Sequence, residues 1–353
     1  MFRPFFLSLK QKRMLHFRYK WIFLLVSAFM LLIFSCSSPT QELTTGDYFS
    51  RSETIQNEFS KVENHVAKVY SSAEYVTYNI PADSLLKKAD LKNAKLDSYS
   101  KHPVTESTRG TATLIRRIQN KKILLSCYHI FNYPDTLIKY YQREDGTKTP
   151  FISHLSIKEK HRHFLKNNSG TSKVEIAAFD EKKDLALLIT TTDINMMNSG
   201  FIRLKTASKN QMKTGKEVFV MGYPNGYKMV TSGLMSKPFI KRPDKIMIDA
   251  SFNKGYSGAP FFVLSPDCQC FKLAGIVNSS ASEEKNILVP ELPSHQKKYN
   301  SRRAYKESTY VEVDERIKYG ITFTSSLQTI KSFYQENQQA LIKKGINLEG
   351  FFN

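Results

Sequence analysis

The chain has 353 residues, room for one large domain or two ordinary ones at about 100–200 residues each. Its 41% apolar and 12% aromatic residues suffice for a packed core, which excludes wholesale disorder, and four cysteines exclude a disulfide scaffold. The 52 basic and 32 acidic residues give a net charge of +20. The basic residues are spread along the chain, with no zinc-finger spacing, RRM signature or basic zipper. The charge therefore reads as a solvated basic surface, and nucleic acid is not an expected partner.

Residues 1–35 read as an address. The apolar run 21–34 (WIFLLVSAFMLLIF) follows Arg18 and Lys20. It has the length of a secretory h-region and falls short of the roughly 20 residues that cross a bilayer. Met14 would begin a signal of ordinary length. Ser35-Cys36 at the end of the run resembles a bacterial lipoprotein signal. That resemblance implies lipidation at Cys36 and a lipid anchor in the cell envelope, at the outer membrane facing the periplasm or at the cell surface. An uncleaved signal anchor is the alternative, and both readings export the body. Residues 36–57 are polar and suit a tether.

From residue 62 onward come short runs rich in Val, Ile, Tyr, Phe and Leu, bounded by Gly, Pro, Asn, Asp or Lys. They predict strands at 65–70, 75–80, 112–116, 123–127, 185–190, 218–222, 246–248, 260–264 and 273–277. Helix is predicted in parts of 50–66, around 83–91, and from 326 to 344, where Leu327, Ile330, Phe333 and Tyr334 recur at helical spacing. Stretches 139–172 and 282–316 read as long surface loops. Many short strands without alternating helices predict an all-β sandwich or barrel.

Three local sequences carry chemistry. Gly255-Tyr256-Ser257-Gly258-Ala259-Pro260 provides the glycine-flanked turn that projects a nucleophilic serine and leaves the N–H groups of Gly255 and Ser257 to hold an oxyanion. His129 ends the apolar run Leu124-Leu125-Ser126-Cys127-Tyr128 and supplies a base of suitable pKa. Asp184, before Leu185-Ala186-Leu187-Leu188, is an acid at the mouth of a buried strand, placed to fix the imidazole tautomer. Cys127 reads as a small buried thiol. Cys268 and Cys270 follow the turn-like Pro266-Asp267 and either pair or bind metal. His154, His161 and His163 lie in a Lys-rich stretch without an acidic or Cys ligand set, so no metal or other cofactor is expected.

The order His129, Asp184, Ser257 is that of the chymotrypsin-like double barrel. The chain resembles the HtrA/Deg branch of trypsin-like serine proteases over residues 58–335. The resemblance rests on Arg109-Gly110-Thr111-Ala112-Thr113, SCYHIF around His129, DEKKDLALL around Asp184, VFVMGYPNG at 218–226, and 249–258 around Ser257. Leu273-Ala274-Gly275-Ile276-Val277-Asn278 and Tyr319-Gly320-Ile321-Thr322-Phe323 follow in order. It implies an all-β fold of two six-stranded barrels, about 58–195 and 196–325, with a C-terminal helix and a helical tail at 336–353. It further implies a serine endopeptidase that cleaves peptide bonds of envelope or extracellular proteins: Ser257 attacks, His129 moves the proton, Asp184 orients His129, and Gly255 and Ser257 form the oxyanion hole. By the same family geometry Ser251 forms the base of the primary specificity pocket and Asn278, Ser279 and Ser280 its wall, which favours small or medium apolar side chains. Tyr256 and Ala259 depart from the family pattern, and no PDZ domain fits the remaining length. A catalytically silent binding module for peptides or envelope proteins is the alternative.

Overall fold

The computed structural model describes residues 45–143, 146–167, 170–191, 204–236, 245–290 and 309–352. The leader, Cys36 and the start of the tether lie outside the described residues, as does the centre of the 282–316 stretch. The chain divides into two compact units, Met1–Glu53 and Thr54–Asn353. Helix α1 comprises Thr45–Val62. Among the described residues no helix is long and apolar enough to cross a membrane.

The second unit holds two antiparallel sheets. The first contains β1 (Val66–Asn79), β2 (Ser100–Ile118), β3 (Lys121–Ser126), β4 (Thr136–Gln142), β5 (Lys148–Asn167), β6 (Gly170–Lys173), β7 (Glu175–Asp180) and β8 (Leu185–Thr190). Their order is β4-β5-β1-β2-β3-β8-β7, with β6 paired to β5. The second contains β9 (Glu217–Gly222), β10 (Met229–Leu234), β11 (Lys245–Ile248), β12 (Pro260–Ser265), β13 (Cys270–Pro290) and β14 (Thr309–Ser326), in the order β10-β9-β12-β13-β14-β11. Helix α2 (Leu327–Lys343) follows.

The expectation of two six-stranded barrels is corrected on two counts. Among the described residues the first sheet has eight strands, and neither sheet closes into a barrel. In the second, a bridge between Met235 and Ile248 joins the two ends of the path. The extra strands of the first sheet come from the segment expected to be a loop. There β5 pairs with β1 on one side and β4 on the other, burying Ile152, Leu155 and Leu165 while its Lys and Arg residues reach water. Those cations hid the apolar period. In the other expected loop, 281–290 and 309–318 pair as a long two-stranded ribbon. The separate strands expected at 65–70 and 75–80 are one strand, β1, with a bulge against β5 at Glu74 and Tyr75. The helix expected near 83–91 is two short 3-10 segments, Ala82–Ser84 and Lys88–Asn93.

Strand alternation sets the packing. On β9, Phe219 and Met221 face one core while Val218 and Val220 face another. The neighbouring β12 repeats the division, with Phe262 on the first side and Phe261 and Val263 on the second. The second sheet is thus apolar on both faces. The larger core also takes Ile123, Leu124 and Leu125 of β3, and Phe59 of α1 meets Phe219 and Phe271 edge-on. Helix α2 starts at Ser326, whose hydroxyl accepts from the Thr329 N–H at 3.2 Å, and it buries Ile330, Phe333, Tyr334 and Leu341.

Candidate functional site

His129 and Asp184 meet where the sequence reading placed them, at the ends of paired strands. After β3 the chain makes one 3-10 turn, Tyr128–Ile130, which carries His129. A tight turn between β7 and β8 leaves Asp184 at φ 55°, a left-handed conformation that Asp tolerates. The Asp184 Oδ1 accepts from the His129 backbone N–H at 2.9 Å, and Oδ2 lies 2.9 Å from His129 Nδ1. An ionised carboxylate only accepts, so Nδ1 carries the hydrogen and Nε2 is the basic nitrogen. Burial opposes the Asp184 charge. The His129 ring and backbone N–H and the Asn278 amide outweigh it and hold the carboxyl below its ordinary range.

The Asn278 side chain, expected from the sequence only in the pocket wall, also supports Asp184. It is buried, and its Nδ2 donates to the Asp184 carbonyl at 3.2 Å and to Oδ2 at 3.3 Å. Asn278→Ala is expected to cost about 1–2 kcal/mol at pH 7, because a buried charge-assisted donor is lost. Asp184 has a depressed pKa, so its share of stability is present above the unfolded carboxyl value and lost as pH falls through the folded one. Urea midpoints of variant and parent should therefore begin to converge only below about pH 4 and meet once the lower folded-state value has been passed. A gap that persists there would assign the loss to packing instead.

Ser257 sits on a turn clamped from the first sheet. Thr111 Oγ1 donates to the Gly255 carbonyl at 2.7 Å, the Thr111 N–H to the Ser257 carbonyl at 2.8 Å, and Thr113 Oγ1 to the Gly258 carbonyl at 3.0 Å. Gly255 and Gly258 flank it at φ +115° and +83°. The Thr111-Ala112-Thr113 pattern, two hydroxyls on one face of an apolar strand, is the sequence signal of that clamp. The departures at Tyr256 and Ala259 are accommodated by Gly222. A Cβ there would stand 2.8 Å from the Tyr256 ring and 2.9 Å from the Ala259 methyl.

The expectation of an active serine endopeptidase is corrected by what gathers at the imidazole–carboxylate pair. Ligand atoms of Cys127, His129 and Asp184 lie within 4.8 Å of one another. The Ser257 hydroxyl donates to the Asn278 carbonyl at 3.1 Å, and no hydrogen bond joins it to His129. Cys127 does not take the serine's place. Its thiol is buried and donates to the Val277 carbonyl at 3.2 Å. Burial, and then the Asp184 charge, push that thiol well above its ordinary pKa, so it carries no thiolate at neutral pH. Neither group is an activated nucleophile. Hydrolase, protease, serine protease and proteolysis therefore do not describe this site.

A cleft of about 770 Å³ opens at this point, lined among others by Thr108, His129, Asn225, Gly255, Ser257 and Ile317. Asn278, Ser279 and Ser280 form part of its wall. Ser251 is exposed and does not line the cleft, whereas its neighbour Phe252 does.

Residues 110–265 match the family model described as a trypsin-like peptidase domain. Comparison with curated proteins finds no match. Among solved structures, the HtrA-type protease AlgW, a serine-to-alanine form with a decapeptide, is similar at a TM-score of 0.45 and 15% identity, covering 82% of this chain and 67% of that one. Rv3671c from M. tuberculosis, an inactive serine-to-alanine mutant, is similar at a TM-score of 0.43 and 12% identity, covering 82% of this chain and 93% of that one. With the family match and the two-sheet architecture, the chain is a distant fold relative of the trypsin-like proteases.

Proposed function

We propose that this chain is a catalytically silent trypsin-fold module that binds extended peptide segments of proteins in the cell envelope, with Cys36 as its lipid anchor and residues 58–335 as the binding domain. The observation that carries the reading is the Ser257 hydroxyl bound to the Asn278 carbonyl, beside a Cys127 thiol held neutral by burial. The cleft supports the binding half. Beyond Ile276, β13 pairs with β14 on one side and has no partner strand on the other among the described residues. That edge, at 278–280, accepts a ligand as an added strand, the mode in which main-chain hydrogen bonds give affinity. In this reading the Gly255 and Ser257 amides receive a ligand carbonyl, and Phe252 offers an apolar contact.

Two measurements test it. Purified protein should not be labelled by a fluorophosphonate probe, and labelling that disappears in Ser257→Ala would refute silence. A library of extended peptides should bind without being cut. Ser280→Arg, which puts a long cation at the cleft wall, should weaken that binding roughly tenfold, or about 1.4 kcal/mol. Undiminished binding would place the ligand elsewhere.

A further inference from the structure

We infer that Cys268 and Cys270 form an exchangeable disulfide, a redox site separate from the cleft, that reacts with small thiols of the glutathione type. The bond closes the tip of the β12–β13 hairpin, where Ser265 pairs with Cys270. Neither cysteine lines the cleft.

Three features set this bond apart from a structural staple. The cysteines are separated by two positions with a Cα–Cα distance of 5.1 Å, within the ordinary span of a bridge. A loop so short restricts the unfolded chain little, so the bond adds little stability. The hairpin is held by other means: Phe271 is buried, stacks on Phe262 and donates its N–H to Glu58 Oε2 at 2.8 Å. The second feature is access. Residues 266–269 are exposed, and Cys270 is half-buried. The third is backbone strain. Gln269, between the two cysteines, sits at φ 45°, a left-handed conformation that a glutamine adopts only at a cost. Exposed bonds under strain belong to the labile class of disulfides rather than the structural one.

The exchange balances without further reagents. A thiolate attacks Sγ of the more exposed Cys268, forming a mixed disulfide and releasing Cys270 as a thiolate. Lys272 lies two residues along the same strand and forms an ion pair with Asp267 at 4.0 Å. A second thiolate then attacks the sulfur of the first, leaving its own disulfide and a Cys268 thiolate. Two electrons pass from the small thiols to the protein. Oxidised glutathione reverses each step.

The test equilibrates the full-length native protein in glutathione buffers of graded ratio, quenches with acid, alkylates, and reads masses. Cys268 and Cys270 should gain two labels together within the glutathione range while circular dichroism stays native. Buried Cys127 serves as the unlabelled internal control. Cys270→Ser should trap a glutathione adduct on Cys268 under oxidised glutathione, several-fold faster than Cys268→Ser traps one on Cys270. Labels that appear only when the protein unfolds, or thiols that stay free in oxidised glutathione, would overturn the proposal.

Discussion

Gly258→Ala is expected to destabilise the protein by about 4 kcal/mol, at the upper end of what one methyl group does. Gly258 holds φ +83°, where a residue with a Cβ costs about 1–2 kcal/mol on its own. The added carbon would also be driven onto the Thr111 carbonyl oxygen and against Ser126 Oγ, both in the first sheet. Relief requires the turn to move. The Gly258 N–H is bonded to the Val277 carbonyl at 2.8 Å and its carbonyl to Thr113 at 3.0 Å, so movement breaks contacts to both sheets. Each such bond is worth about 1 kcal/mol. Gly320→Ala is the matched control, because Gly320 has φ +80° with nothing within 4 Å of a built Cβ. It should lose only the conformational part. Equal shifts in the denaturant midpoints of the two variants would show that the seam between the sheets does not depend on this close approach.

The sequence made the imidazole–carboxylate pair legible because His129 ends one apolar run and Asp184 begins another, and strand ends are where a sheet sets a polar side chain. The pairing of β3 with β8 then brings His129 and Asp184 together across 55 positions of chain. The serine turn was legible for the same local reason, its flanking glycines. What stayed hidden was the hydroxyl's partner. Whether Ser257 donates to His129 or to the Asn278 carbonyl depends on how β13 passes the turn, and no local pattern encodes that. Cys127 read as a core thiol, and it is one, but its neighbours place its sulfur against the pair. The charged β5 was missed because Lys, His and Arg dominate its exposed positions, and the ribbon at 281–290 and 309–318 because its apolar residues, among them Leu288 and Val311, face solvent. Burial, which gives strands their alternating signature, is absent there.

His163 should give the protein a stability loss between about pH 6.5 and pH 4, earlier than carboxylate titration alone would produce. It lies on β5 with Nδ1 2.9 Å from Ser71 Oγ, a hydroxyl that is also 3.2 Å from His161 Nε2. Its ring meets the Phe131 edge at 5.1 Å and the His161 ring at 4.2 Å. Burial first, and then the neighbouring His161, lower its pKa from 6.5 to about 4. A depressed folded value means that the unfolded chain binds the proton more readily. The stability is therefore complete above the unfolded pKa and drains away as pH falls toward the folded one. Because the ring is partly exposed, solvent screening reduces the full linkage to about 2 kcal/mol. His161, lowered by burial and by the charge of Lys158, with Asp135 opposing, acts in the same direction, as does the buried His65. His163→Gln stays neutral across this range and keeps an acceptor for Ser71. Its urea midpoint should fall less than the parent's between pH 7 and about pH 4.5, the difference tracking His163 alone. Identical slopes in variant and parent would mean that this ring takes up its proton as readily in the folded state as in the unfolded chain and that its burial carries no linkage.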